Sequence, residues 1–437
     1  MKIQEHLDKI SWSFADKILF ILYGLVQIVQ INYLEADEFG LYLLLINLST
    51  WMFVISDSMA LQNLIQFGIN ERNRKKVNLY ALMLHSGFVI GISLLILALQ
   101  WPLAGLFGQS RFSEVASMLP LLTLSMIPRT FGIKLLYRDY RFREVFFLNL
   151  IFFGIMSAIT FYLILTQEML DYYDLIVIYV SGAVLSSLAA VIFTKKELKF
   201  STKGEISIKD LISFGMPLTL QAAFHSIPRN LDVYLIQYTF GLTTVGIYGS
   251  AKTLFRVFDE AVNASVGLIY PSAVRQLDKG NKQALTDLIT KSVSFMLFAF
   301  AAAVVILEAG GTRFIITTFL PERFADAMPI FNLLILSAFF LPFVSLSSII
   351  NAMKRPMAVV FYIIISVAAS IGTFLIVGQL GTPALTPLGL IAYYSILGTM
   401  LYIFVKRNLG FPFFMIFRAI KDTFYFLKSK FLLISRK

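Results

Sequence analysis

Apolar residues fall into twelve stretches along this 437-residue chain, and short polar connections separate them. Each stretch is close to the roughly 20 residues that a helix needs to cross the hydrocarbon core of a bilayer. The predicted spans, with bounds good to about three residues, are 12–34, 40–62, 79–104, 115–133, 145–166, 174–194, 211–234, 243–269, 289–307, 327–350, 358–379 and 386–405. The connections leave no room for a folded domain outside the membrane. The pattern therefore predicts an all-α membrane protein with twelve transmembrane helices.

The cations are sorted between alternate connections. Of the 37 Lys and Arg residues, 29 belong to the two ends and every second connection if Lys291, the third residue of span nine, is counted with the basic connection before it; 3 belong to the other six connections, and 5 lie deeper inside spans. Basic connections are retained in the cytoplasm during insertion, so both termini are expected on the cytoplasmic side. The same rule explains the net charge of +11, and we therefore expect no nucleic-acid partner.

Composition excludes several kinds of chemistry. The chain has no cysteine, which rules out disulfides, thiolate metal sites and cysteine nucleophiles. The three histidines, His6, His85 and His225, do not have the spacing of a metal site. A phosphate-binding glycine loop is also missing from the sequence, so direct use of ATP is not expected. We predict a protein that is not an enzyme and that has neither a metal nor a cofactor.

The chain divides into two related halves. The basic connection 195–209 follows span six and is interpreted as a linker between an N-terminal lobe, 1–200, and a C-terminal lobe, 201–410. Gly40 and Tyr42 open span two, and Gly246 and Tyr248 open span eight at the same offset of 206 residues. An offset of six helices preserves orientation, which predicts a parallel repeat about an axis along the membrane normal. The alternative is that each Gly serves close packing and each Tyr lies at the interface.

The remaining segment, 411–437, alternates aromatic or aliphatic residues with Arg and Lys. The cations interrupt every apolar run that would be long enough to cross the membrane. We therefore predict a cytoplasmic, interfacial amphipathic tail and not a thirteenth span.

Polar residues recur at helical spacing within four predicted spans. Spans one and two correspond to spans seven and eight under the repeat, so the polar faces occur on equivalent helices of both halves. This arrangement predicts a central cavity between two six-helix lobes. The polar positions are Ser13, Lys17, Gly24 and Gln27; Asn47, Thr50 and Asp57; Gln221, His225, Arg229 and Asp232; and Tyr248, Lys252, Arg256, Glu260 and Asn263.

A charge near the bilayer midplane costs about 2.5–3.5 kcal/mol on insertion scales, so each cation inside a span needs a partner or a function. We predict that these cations bind an anion, because Arg offers a fork of donors to phosphate oxygens and Lys offers a point charge. They are Arg256, Lys252, Arg229, Arg129 and Lys17.

Ion pairing is the alternative role for the same cations. Arg229 and Asp232 are spaced i,i+3, and Arg256 and Glu260 are spaced i,i+4. Lys17 and Arg129 alternatively extend to the cytoplasmic surface. The candidate polar or coupling residues of the cavity are Asp232, His225, Gln221, Glu260 and Asp57.

Several short motifs resemble those of the polysaccharide biosynthesis family of oligosaccharide-lipid flippases, which belongs to the multidrug/oligosaccharidyl-lipid/polysaccharide exporter (MOP) superfamily. The residues that carry the resemblance are Glu38, Phe39, Gly40, Leu41 and Tyr42; Arg138, Arg141, Phe142 and Arg143; Asp232; Gly246, Ile247, Tyr248 and Ala251; and Pro271, Ser272, Ala273, Val274 and Arg275.

The resemblance implies alternating access and a polyprenyl diphosphate-linked oligosaccharide that is carried outward across a bacterial cytoplasmic (inner) membrane. It also implies a role in O-antigen, capsule or exopolysaccharide assembly, with the polysaccharide polymerase and chain-length machinery as further partners. A multidrug or ion antiporter of the same superfamily and a flippase for the peptidoglycan precursor are alternatives. A membrane glycosyltransferase or polysaccharide polymerase is the alternative from another class.

Overall fold

The computed structural model describes residues 3–106, 111–167, 169–353, 355–410 and Phe414. These residues are almost entirely helical. The extended structure among them is one isolated bridge that pairs Leu34 with Leu170. The predicted tail, 411–437, lies outside the described residues except for Phe414.

The helices follow the apolar stretches and extend beyond most of them. The first six are α1 (Ile3–Asn32), α2 (Ala36–Gln66), α3 (Glu71–Ala98), α4 (Phe112–Arg138), α5 (Phe142–Thr166) and α6 (Tyr172–Thr194). The next six are α7 (208–240), α8 (Leu242–Asp278), α9 (Lys282–Phe319), α10 (Ala327–Phe339 with Leu341–Ala352), α11 (Pro356–Leu380) and α12 (Pro383–Leu409). A short helix, Gln100–Leu106, follows α3.

Nine of the described helices are long and apolar enough to cross a membrane, or ten if α10, which bends by 46°, is one span. The two predicted spans outside this set are α7 and α8, which are helical but more polar. They also carry most of the polar faces predicted from the sequence. The all-α membrane fold is therefore confirmed, whereas apolar length by itself supports nine or ten of the twelve predicted spans.

Local sequence signals explain several helix ends. Asp171 and Ser207 each form a capping box with the acidic residue three positions later, which satisfies free N–H groups at the starts of α6 and α7. Gly381 and Gly410 end α11 and α12 at φ values of 64° and 66°, in the left-handed region that glycine adopts without strain.

The described residues pack as two compact units. One contains Met1–Ser250 with Phe319–Phe324, and the other contains Ala251–Thr318 with Ala325–Lys437. In the first unit, α6 packs on α4 and α5, α1 packs on α5, and α2 packs on α4 and α7. In the second, α11 packs on α12, while α10 packs on α9 and α12. The sequence-based lobes, 1–200 and 201–410, stay a prediction.

The basic connection after α6 is attached to the start of α3. The side-chain amide of Asn78 donates to the carbonyl oxygens of Glu197 and Lys199 at 2.9 and 3.2 Å. Arg138 donates to Asn78 at 2.7 Å, and Arg141 donates to the Glu197 carboxylate at 3.0 Å. Two arginines of the family-like motif 138–143 therefore hold the connection in place within the first unit.

The two glycines of the sequence repeat meet near the N-terminal ends of α2 and α8. A Cβ at Gly40 would collide with the carbonyl oxygen of Leu242, and a Cβ at Gly246 would collide with that of Ala36. Ala36 and Leu242 are again 206 residues apart. The crossing therefore follows the repeat, and its backbones approach too closely for any side chain.

Replacing Gly246 with Ala is expected to force these backbones apart and to lower stability by about 1–3 kcal/mol, the usual cost of overpacking. The melting temperature of the purified protein in detergent measures the effect. Gly87→Ala on α3 is the matched control, because no atom lies within 4 Å of a Cβ built there. Equal melting temperatures for the two variants would contradict the close crossing.

Candidate functional site

α7 changes its helical geometry at the predicted cation. Residues Ile227–Leu231 form a π-helical turn, in which Pro228 has no N–H to donate. Arg229 lies in this turn, half-buried, with Nη1 3.4 Å from Nε2 of His225. Gln221, one turn before His225, is also half-buried. The structure thus brings together Arg229 and His225 of the predicted stripe.

Asp232 follows the π-helical turn and is almost fully buried. Its Oδ2 accepts a hydrogen bond from the hydroxyl of Tyr248 at 2.6 Å, and its Oδ1 accepts one from the backbone N–H of Val233 at 3.0 Å. Tyr248 was identified in the sequence as a repeat residue, and the partnership joins two of the family-like motifs. This hydrogen bond links α7 to the first part of α8 inside the first unit.

The cations of α8 lie in the second unit. Lys252, Arg256 and Glu260 follow one another at intervals of four residues, which places them along one face of the helix. Arg256 is exposed, whereas Lys252 and Glu260 are half-buried. On the same helix, Asp259 accepts a hydrogen bond from the hydroxyl of Tyr394 on α12 at 3.5 Å. Asp259 and Tyr394 were not among the sequence-based candidates.

Asp57 begins a π-helical turn in α2, Asp57–Leu61. Its carboxylate forms an ion pair with Lys134 of α4 at 2.8 Å and accepts a hydrogen bond from Gln62 at 2.9 Å. The cationic partner of Asp57 is thus Lys134, which the sequence analysis placed in the basic connection after span four. A coupling role for Asp57 stays a prediction.

Arg129 lies inside the first unit, 8% exposed. Its Nε donates to Ser186 at 3.1 Å, its backbone N–H donates to Ser187 at 3.2 Å, and its guanidinium lies 4.3 Å from the ring centre of Phe152. Its Nη2 also donates to Asn149. These partners come from α5 and α6, so the guanidinium is enclosed by helices and does not extend to the surface.

Asn149 connects Arg129 to α1. Its Oδ1 accepts from Arg129, and its Nδ2 donates to Asp16. Asp16 was not a sequence-based candidate. Its carboxylate lies inside an apolar span, and this position could have identified it as a candidate. The neighbouring Lys17 is exposed. The first unit therefore holds a charged chain of three side chains, of which the sequence predicted one.

A second charged group lies at the N-terminal ends of α2 and α4. Arg111 forms ion pairs with Glu38 at 2.6 Å and with Glu114 at 2.9 Å, and the other oxygen of Glu38 accepts from the N–H of Tyr172. Hydrogen bonds to Glu114 and Glu38 raise the pKa of Arg111 further above its ordinary value. Glu38, the first residue of a family-like motif, therefore joins three helices of the first unit.

Comparison with known proteins gives a family and a fold. The family model described as polysaccharide biosynthesis protein matches residues 33–329. No curated protein matches the chain by sequence. Several solved structures share the fold, and three of them are each 14% identical to this chain.

One is a multidrug resistance MATE family transporter of the MOP superfamily in an inward-facing conformation, with a TM-score of 0.74 over 92% of this chain and 95% of that one. Another is the lipid II flippase MurJ in an inward closed conformation, with a TM-score of 0.74 over 97% and 93%. The third is a MOP superfamily transporter from Pyrococcus furiosus, described by the reverse polarity of its binding pocket, with a TM-score of 0.65 over 91% and 93%.

Proposed function

We propose that this protein is a flippase, because the chain belongs to the polysaccharide biosynthesis protein family. It is a multi-pass membrane transporter with the MOP superfamily fold, and it is not an enzyme. Its substrate is a polyprenyl diphosphate-linked oligosaccharide. The protein carries this lipid from the inner to the outer leaflet of a bacterial cytoplasmic membrane by alternating access. The exported glycan enters O-antigen, capsule or exopolysaccharide assembly, where the polymerase and chain-length machinery are the expected partners.

The observation that carries the proposal is the cationic character of α7 and α8. α8 holds Lys252 and Arg256 about ten and fourteen residues from its start, which corresponds to a depth of roughly 15–20 Å at 1.5 Å per residue, and α7 holds Arg229 in its outer half. A diphosphate presents several oxygens to which Arg binds through two donors and Lys through a point charge. A lipid-linked diphosphate therefore suits these helices better than an organic cation.

The membrane potential supplies a driving force for this direction of transport. An anion that moves outward from a negative interior moves down its electrical gradient, and its free energy falls by about 2.3 kcal/mol per net charge for each 100 mV. The cations of α7 and α8 lower the cost of bringing that anion to mid-depth. We propose that the potential contributes to export without ATP hydrolysis.

The multidrug or ion antiporter is the second candidate, because the MATE transporter shares the fold as closely as MurJ does. The Pyrococcus furiosus relative indicates that pocket polarity varies within this fold. Depletion of the protein in its host separates the two functions. The flippase proposal expects loss of surface polysaccharide and accumulation of lipid-linked oligosaccharide, with unchanged drug susceptibility. Increased susceptibility with normal surface polysaccharide would support the antiporter.

The proposed orientation has its own test, since the chain has no cysteine background. Lys203→Cys should resist an impermeant external thiol reagent in intact cells, whereas Thr382→Cys, on a connection without cations, should react. Both positions are exposed, and Lys203 avoids the left-handed φ of 153° at Gly204. Labelling of Lys203→Cys in intact cells would reverse the assignment of the cytoplasmic side.

A further inference from the structure

The connection between α9 and α10 packs with the first unit at Phe319–Phe324, although the chain on both sides of this segment packs with the second unit. Arg323 reaches the end of α1. Its Nε donates to the carbonyl oxygen of Leu34 at 2.7 Å, and its Nη2 donates to that of Asn32 at 2.6 Å. One planar guanidinium thus binds two carbonyl groups where α1 ends.

The end of α1 needs such a partner. The last carbonyl groups of a helix accept no hydrogen bond from within the helix. They also form the negative end of the helix dipole, where a cation is stabilising. The last turn of α1 contains no basic residue. Arg323 supplies both the donors and the charge from a position 289 residues away from Leu34.

The capping is reciprocal. Asn32, the last residue of α1, donates from its side-chain amide to the carbonyl oxygen of Phe319 at 2.7 Å, and Phe319 is the last residue of α9. Phe324 is fully buried, with its ring edge-on to Phe39 and the ring centres 6.4 Å apart. Side chains therefore cap the ends of both helices, and Phe324 packs the connection that carries Arg323 against α2.

We propose that Phe319–Phe324 is a latch on the outer end of α1 that is engaged in this structure and must release during each transport cycle. The requirement for release rests on the proposed transport function. Three features support it. The residues directly before and after the latch belong to the second unit, so a movement of that unit exerts a force on the latch through the chain. Its hydrogen bonds go to backbone carbonyls, which water satisfies equally well after release. The neighbouring Glu35 and Glu322 are exposed, so water has access to both sides.

Locking the latch tests the need for release. Glu35→Cys and Glu322→Cys place one thiol on each side, next to the bonded residues but outside the hydrogen bonds. A short, reducible bifunctional thiosulfonate reagent is applied to cells that express the double variant. We expect cross-linked protein that loses export of surface polysaccharide and regains it on reduction, while each single variant exports normally before and after treatment. Full export by the cross-linked protein, or the absence of a cross-linked product, would overturn the proposal.

Distance measurements test the latch without relying on transport. Spin labels at the same two cysteines are expected to give one short distance in the otherwise unchanged protein. Arg323→Ala should add a population at longer distance, and Arg323→Lys should add a smaller one, because it keeps the charge but loses the fork. An unchanged distribution in Arg323→Ala would show that Arg323 does not hold the segment. If the distances shift as expected but depletion leaves surface polysaccharide intact, the latch stands and the flippase function falls.

Discussion

Replacing Arg256 with Ala is expected to abolish glycan export while the protein remains inserted at its normal level. Arg256 is exposed on α8, one turn after Lys252. A guanidinium that donates two hydrogen bonds binds a diphosphate most strongly where the diphosphate has lost its water shell. Arg256→Lys should restore part of the export, because the charge remains and the fork is lost. Surface polysaccharide and membrane protein level, measured together in a strain without its own copy, give the result.

The double variant Arg256→Ala/Glu260→Ala separates substrate binding from ion pairing. If Arg256 serves as a partner for Glu260, the single variant leaves a carboxylate in the membrane and lowers the protein level, whereas the double variant restores both level and export. If Arg256 binds substrate, the double variant stays inactive. Normal export by either variant would remove Arg256 from the proposed site and leave Arg229 and Lys252 to carry it.

Replacing Arg129 with Ala should have its main effect on stability. The change removes the partner of Asn149 and leaves Asp16 without the cation at the far end of the chain, in addition to opening a void against Phe152. Breaking a buried charged contact from one side costs on the order of 3–5 kcal/mol. We expect a markedly lower melting temperature in detergent and little folded protein in the membrane.

The matched change Asp16→Asn tests whether the network acts as a unit. It keeps the size of the side chain and its bond to Asn149 but removes the charge. Coupling predicts that Arg129→Ala and Asp16→Asn together cost less than the sum of the two changes. A substrate-binding role for Arg129, as predicted from the sequence, would instead leave the melting temperature of Arg129→Ala unchanged while export is lost.

The sequence predicted the helices well, because a helix in a bilayer must satisfy its own backbone and bury an apolar surface of known length. The alternative interpretation of the repeat, in which each Gly serves close packing, agrees with the crossing at Gly40 and Gly246, but the sequence did not predict that these two glycines face each other. α7 and α8 are the elements for which apolar length was a weak guide. The sequence showed which positions of α7 and α8 are polar. The same polar residues lower the hydropathy of the two helices.

The partners of these polar residues were harder to predict. The contact between Arg229 and His225 has the i,i+4 spacing of the stripe seen in the sequence, but the π-helical turn that contains Arg229 was not predicted. Arg129 has its partners on two other helices, α5 and α6, and no spacing along the chain encodes which faces of those helices meet. The same holds for Arg323, whose carbonyl partners are backbone atoms and carry no sequence signal at all.

The capping of α1 by Arg323 also sets an order of events during synthesis. Leu34 leaves the ribosome 289 residues before Arg323, an interval of roughly 15–60 s at about 5–20 residues per second. Until then the last carbonyls of α1 have water as their partner, and the first six helices must be inserted and packed without their distant cap. Phe319–Phe324 is the last segment of the first unit to be translated, and it caps the end of α1, the first helix of that unit. Ribosome pausing before codon 323 should therefore prolong an intermediate in which α1 is uncapped.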